Sequence, residues 1–272
     1  MKKVSILAAV FVMIMSLLVI GCGSSSSNSN AGKDSGQAAD IKAIKDRGVL
    51  KVGVKVDVPK FGFKDPATGK VDGMEIDLAK AIAKKILGDE NKIDVQAVTA
   101  KTRGPLLDNG EVDLVIATFT ITDERKQSYN FSDPYFTDGV ALMVKKNSGI
   151  QSLKDMNGKK IGVAQSATSK KAIQDAAAKD GVKVSFLEFG TYPEIKTALD
   201  SGRIDCFSVD GAILFGYLDD STVILADRYT PQEYGVASKK ANTNLAKVVN
   251  DTINDMKKSG ELDKLIQKWG LK

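Results

Sequence analysis

Apolar residues in this chain follow two patterns: short runs, and longer stretches with a helical repeat. Short runs at 50–54, 114–117, 160–164, 182–189, 204–209 and 223–225 read as strands, and 92–98 alternates in the manner of a half-buried strand. Met74, Leu78, Ile82 and Ile86 recur every four residues, which predicts a helix over 73–86 with one apolar face. Other helices are expected at 41–47, stopped by Gly48, and from 101–105, with Pro105 in the first turn. Further ones are expected at 150–158, 171–178, 194–199 behind Pro193, 212–218, 245–256 and 262–269, where Trp269 serves as a core anchor.

Part of this order is written twice. Leu107-Asp-Asn-Gly-Glu-Val-Asp-Leu114 recurs as Leu199-Asp-Ser-Gly-Arg-Ile-Asp-Cys206, and Lys51-Val-Gly-Val54 recurs as Lys160-Ile-Gly-Val163. Each long copy is a helix end with glycine at its cap, followed by a strand. Strands alternating with helices imply parallel sheets covered by helices, here in two similar lobes with a cleft between them. The plainer alternative is that glycine before a strand is common punctuation. The lobes are expected at 41–142 with 235–272, and at 143–234. Residues 139–145 and 228–236 would carry the chain across and back, with Tyr234 near the hinge.

The N-terminus adds a separate signal. Lys2 and Lys3 precede an almost wholly apolar stretch over 4–20, then Gly21 and Cys22, which is a secretory signal pattern. Val19-Ile20-Gly21-Cys22 resembles the box cut by lipoprotein signal peptidase, which would make Cys22 the lipidated first residue after a signal peptide at 1–21. An uncleaved anchor is the alternative. Residues 22–40, rich in Ser, Asn and Gly, read as a flexible tether.

The 272 residues are 43% hydrophobic and 27% charged, as expected of a packed globular chain. Removing the two leader lysines from the formal charge of +5 leaves +3. That balance, with no basic block, argues against a nucleic-acid partner. The chain has no histidine, which excludes Ser-His-Asp and Cys-His catalysis and imidazole metal sites. It has two cysteines; with Cys22 acylated, Cys206 has no disulfide partner and reads as a buried small hydrophobe.

The candidate chemistry centres on 117–135. The apolar strand at 114–117 breaks into alternating hydroxyls, Thr118, Thr120 and Thr122, and a helix start follows at Asp123-Glu124-Arg125. Donors at the carboxyl end of a strand beside a helix N-terminus suit an anion, and the Arg125 fork matches a carboxylate. The alternative is a surface Arg125 that packs on Tyr129. In the second half, Asp210 stands at the carboxyl end of a strand and is followed by Gly211, so it faces the expected cleft, or else caps the helix at 212–218.

Thr-x-Thr-Ile-Thr-x-Glu-Arg at 118–125, then Phe-Ser-x-Pro-Tyr at 131–135, resembles the signature of bacterial polar amino-acid-binding proteins, the extracytoplasmic receptors of ABC importers. The resemblance implies an α/β, two-lobed periplasmic-binding-protein fold, each lobe a mostly parallel sheet flanked by helices, joined by two crossing strands. It implies that Arg125 grips a ligand α-carboxylate beside Thr118, Thr120 and Thr168, that Ser166 stands where a glycine is usual, and that Asp210 takes the α-ammonium. Phe61, or second Phe63, would cover the ligand, unless both plug the core under the loop, and Tyr192 would line the cleft or pack on it.

Ile-Leu-Gly-Asp at 86–89, Ala-Lys-Thr-Arg-Gly-Pro-Leu-Leu-Asp-Asn-Gly at 100–110 and Ile-Ala-Thr-Phe-Thr-Ile-Thr at 116–122 resemble the aspartate- and glutamate-binding subgroup, in which the matching Lys55 and Arg103 hold a side-chain carboxylate. The expectation is therefore a monomeric receptor for an acidic amino acid, lipid-anchored outside the membrane through Cys22 and serving an ABC permease, with no cofactor, metal or catalytic residue. A receptor for glutamine or another neutral polar ligand is the nearest alternative. A dehydratase using Glu124 or Asp210, or an adhesin on the same fold, is further away. The Gly73-Met-Glu segment reads as scaffold.

Overall fold

A computed structural model describes residues 38–271. The expected signal peptide, Cys22 and the tether through residue 37 lie outside the described residues.

Two sheets organise the chain. In the first, Leu50–Val54 runs parallel to both Ile93–Ala97 and Leu114–Ile116. Ala237–Lys239 then adds antiparallel to Leu114–Ile116, with Tyr129–Phe131 at the edge. In the second, Lys160–Ala164 runs parallel to Ser185–Phe189 and Cys206–Asp210, and Phe136–Lys145 and Thr222–Ile224 complete the order antiparallel. The parallel part of each sheet is thus three strands joined through covering helices, as βαβ units require. The returning strands make each sheet mixed rather than mostly parallel.

The repeat is a structural one. Asp113 takes a backbone bond to the Lys51 carbonyl and returns one from the Lys51 N–H to its carboxylate, both at 2.8 Å. Asp205 does the same with Lys160, again at 2.8 Å. Gly110 and Gly202 cap the preceding helix or turn at φ 76° and 75°, where a side chain would be strained.

The chain passes between the sheets at 132–135 and 235–236, earlier than 139–145. Residues 140–144 are already paired with Cys206–Asp210 in the second sheet. Phe136–Lys145 and Tyr229–Tyr234 pair with each other, Phe136 opposite Tyr234. Tyr135 N–H donates to the Tyr234 carbonyl at 2.8 Å. An apolar cluster runs from Leu50 and Leu78 through Phe61, Phe136 and Tyr234 to Phe207 and Leu214, so the two lobes share one core.

Other elements differ in detail. The first helix is Ala39–Arg47, and Asp40 accepts from the N–H groups of Asn244 and Leu245 at 3.1 and 2.9 Å. Residues 39–40 therefore belong to the fold and not to a tether. The helix expected at 150–158 is a 3-10 turn, Leu153–Met156, inside a capping box of Ser152 and Asp155. Cys206 is fully buried and free. Trp269 is half-buried against the core, its indole N–H on Asp77 at 2.8 Å. Among the described residues, no helix is long and apolar enough to cross a membrane.

Candidate functional site

The 117–125 segment folds as a tight loop and then a helix. Thr122 caps the helix Asp123–Ser128 by accepting from the Arg125 N–H at 3.1 Å. That sends the Arg125 side chain back over the loop, where Nη1 donates to the Thr120 carbonyl at 2.7 Å. Nη2 donates to the Ser166 carbonyl of the second lobe at 3.1 Å. Arg125 is thus an interlobe residue, not a helix ornament packed on Tyr129. Burial, and then the neighbouring Arg103, lower its pKa to about 9, which leaves it cationic at neutral pH.

A pocket of about 650 Å³ opens here between the lobes, lined by Thr120, Thr122, Arg125, Ser166, Thr168 and Gln232, among others. Thr120 and Thr168 donate to one acceptor, Gln232 Oε1, at 2.8 and 2.7 Å. Thr168 precedes the helix Ser169–Lys179 but makes no side-chain cap there. Its hydroxyl serves the interlobe site instead. Ser166 sits at φ 61°, the left-handed region that favours glycine, which gives a physical reason for the glycine expected at this place.

Deeper in the cleft, Lys55, Glu75, Arg103, Thr118, Tyr192 and Asp210 are all buried. Arg103 Nη1 donates to the carbonyls of Ala117 and Thr118 at 2.7 and 3.1 Å. The Phe119 ring lies 4.0 Å from the Arg103 guanidinium carbon and 4.8 Å from that of Arg125, so one aromatic supports both cations. Thr118 bends the loop at φ 44°. Its N–H donates to Glu75 at 2.6 Å.

Asp210 does not cap its helix. Asp138 takes that role by accepting the Ala212 N–H at 2.6 Å. The Asp210 carboxylate is therefore free of backbone duty and accepts the Tyr234 hydroxyl. Burial pushes Asp210 up to about 7. Both arginines act on it in the opposite sense, favouring the carboxylate.

Lys55 departs from the expected arrangement. Its ammonium is ion-paired with Asp57 at 2.9 Å and lies 4.5 Å from the Tyr192 ring centroid. Burial lowers its pKa and the Asp57 carboxylate opposes that. A lysine already neutralised by a neighbour has little left to offer a ligand carboxylate. Tyr192 touches the other lobe as well, its N–H 3.4 Å from Asp57 Oδ2. Phe61 is fully buried between Phe136 and Tyr234, at 5.1 and 5.8 Å between ring centroids. Phe63 is 36% exposed.

Buried side-chain atoms with no partner include Glu75 Oε2, Arg103 Nε, Thr118 Oγ1 and Ser169 Oγ. All four belong to or adjoin this cleft. Such atoms each cost roughly 1–3 kcal/mol when no partner meets them. Four participants escaped the sequence reading. Phe119, Gln232 and Asp138 carried no local signal, whereas Glu75 lay in the segment read as scaffold.

Two lobes on one repeated plan, with cationic forks on one side and a buried carboxylate on the other, have the build of a solute-binding protein. Residues 50–272 match the bacterial extracellular solute-binding proteins, family 3, and the chain belongs to that family. It is 42% identical over 272 residues to the glutamine-binding protein of an ABC transporter in Bacillus subtilis, covering 99% of this chain and 97% of that protein. It is 46% identical over 215 residues to a glutamine-binding protein of Geobacillus stearothermophilus, covering 78% and 80%. A solved ancestral arginine-binding protein bound to glutamine is similar at 41% identity and a TM-score of 0.73, over 82% of this chain and 98% of that one. Identity to an L-glutamate/L-aspartate-binding protein of Pseudomonas aeruginosa is 29%, over 84% of this chain and 79% of that protein. The expected kinship with the acidic subgroup is therefore corrected. The 86–89, 100–110 and 116–122 motifs do not outweigh the whole-chain similarity to glutamine-binding proteins.

Proposed function

We propose that this protein is an extracytoplasmic receptor that captures L-glutamine between its lobes and presents it to an ABC importer. The observation that carries the reading is the opposition of Arg125 on one lobe and a cap-free Asp210 on the other. A zwitterion withdrawn from water needs a partner for each charge. Arg125, with the Thr120 and Thr168 hydroxyls, takes the α-carboxylate, and Asp210 takes the α-ammonium. Gln232 holds the two hydroxyls at one point until the ligand arrives. Arg103 meets the side chain, where its unpaired Nε–H suits an amide oxygen. Tyr192 closes the cleft from the second lobe.

Glutamine is preferred over glutamate because the Lys55 charge is spent on Asp57. A receptor is preferred over a dehydratase because Glu124 is exposed and Asp210 is committed to the ammonium. Acylation of Cys22 would hold the receptor at the membrane. Calorimetric titration with L-glutamine, L-glutamate, L-aspartate and L-arginine tests the assignment. Glutamine should bind most tightly. Equal or tighter binding of an acidic ligand would return the side-chain contact to Lys55 and Arg103 acting together.

A further inference from the structure

Glu75 is the least expected group in the cleft. Its helix, Met74–Leu87, begins at Gly73, whose φ is 148°. A Cβ there would stand 2.0 Å from the Phe61 carbonyl oxygen, so only glycine lets the helix start press this closely on the loop. The N–H groups of Met74 and Glu75 donate to the carbonyls of Lys60 and Phe61 at 2.8 and 2.9 Å. The helix start is pinned on residues 60–61, and the Glu75 side chain is buried there.

That side chain has no exposure. Oε1 accepts the Thr118 N–H and the Tyr135 hydroxyl, each at 2.6 Å, while Oε2 is buried without a partner. A scaffold role would be met by an amide or an alcohol at lower cost, because an isolated buried carboxylate is expensive. Its presence makes sense in the charge count of the cleft. Above about pH 7, where Glu75 and Asp210 are ionised, Lys55, Arg103 and Arg125 stand against Asp57, Glu75 and Asp210, three cations to three anions. A zwitterion with a neutral side chain leaves that balance at zero. A side-chain carboxylate leaves one unpaired negative charge in a site closed to water.

We infer that Glu75 sets the permitted charge of the ligand side chain: ionised, it balances the pocket for a neutral amide and turns away a carboxylate. The inference rests on the glutamine-receptor reading. The groups facing Glu75 are Tyr135 before the crossing strand, the Thr118 amide, Arg103 on its helix, and Lys55 with its partner Asp57. Burial holds Glu75 at about 7, so the rejection weakens as pH falls and Glu75 takes up a proton. Asp210 titrates in the same range, but it pairs the α-ammonium of either ligand, so the ratio of the two affinities isolates Glu75.

The test is calorimetric titration of the wild-type protein and of Glu75→Gln with L-glutamine and L-glutamate at pH 8. The wild type should favour glutamine, and the variant, one charge more positive, should show that preference reduced about 10-fold. An unchanged ratio in the variant, with wild-type preference intact, overturns the role of Glu75 and leaves the receptor reading standing. Wild-type preference for glutamate, or binding of neither ligand, overturns the glutamine assignment itself. Should the variant fail to fold, the wild type is titrated at pH 6 and pH 8. The glutamine-to-glutamate ratio should fall about 10-fold at the lower pH, with proton uptake on glutamate binding. A ratio independent of pH overturns the inference.

Discussion

Asp113 in the first lobe and Asp205 in the second hold their neighbouring strands in the same way, each exchanging two bonds of 2.8 Å with a lysine backbone. At the other ends of those strands the lobes part company. The first lobe places Lys55, Arg103 and Arg125 there, with Phe119 supporting the two guanidiniums. The second places a strained serine, a threonine hydroxyl and Asp210. One end of the repeated unit builds the scaffold and the other carries the chemistry, as open α/β sheets generally arrange. On the proposed reading Arg125 and Asp210 serve opposite ends of the ligand from different lobes, which would make capture a hinge closure about the paired strands Phe136–Lys145 and Tyr229–Tyr234.

Removing the cationic fork should have the largest effect. Arg125→Ala is expected to cost roughly 2–5 kcal/mol of ligand binding, read by calorimetry, because Asp210 would keep its partner while the α-carboxylate lost one. A loss below about 1 kcal/mol would move the carboxylate grip to another residue.

The next effect is one of pH. Glu75 and Asp210 both titrate near 7 in the folded protein, above their unfolded values, because burial disfavours their charge. Their contribution is therefore present below about pH 4 and is lost as pH rises through 7. For Glu75 that amounts to roughly 3 kcal/mol. The melting temperature of the ligand-free protein should fall between pH 5 and pH 8, and Glu75→Gln should flatten that slope. A melting temperature that rises over the same interval would mean that the nearby arginines outweigh burial.

The scaffold ends permit a matched pair of substitutions. Asp113 is the less exposed, its side chain 16% accessible against 35% for Asp205. Asp113→Ala should destabilise by about 2 kcal/mol and Asp205→Ala by about 1 kcal/mol in denaturant unfolding. Neither should change the glutamine-to-glutamate ratio. The smallest expected effect is at Ser166, where Ser166→Gly relieves a left-handed residue and should change stability by less than about 1 kcal/mol, in the stabilising direction.

The scaffold was legible in the sequence because its signals are local. Helix end, glycine and strand lie within eight residues, and the same words occur twice. Arg125 was legible for the same reason, since its cap and its first acceptor lie within five residues. What escaped depends on closure of the chain over long separations. Thr120 meets Gln232 across 112 positions, and Asp138 accepts the Ala212 N–H across 74, in place of an Asp210 cap. Lys55 is the instructive exception. Its partner Asp57 is two residues away, and the Lys-x-Asp spacing was a warning that the lysine charge was already spoken for. Glu75 followed a glycine at a helix start, a pattern that reads as scaffold until the crossing of Thr118 and Tyr135 onto it is seen.

The most direct test of the central claim is titration of the ligand-free protein with L-glutamine, followed by the same titration of Asp210→Asn. Binding of one glutamine per chain, micromolar or tighter and weakened at least about 10-fold in the variant, is the expected result. Absence of heat with glutamine, or an affinity indifferent to Asp210, would contradict a zwitterion held between the two lobes.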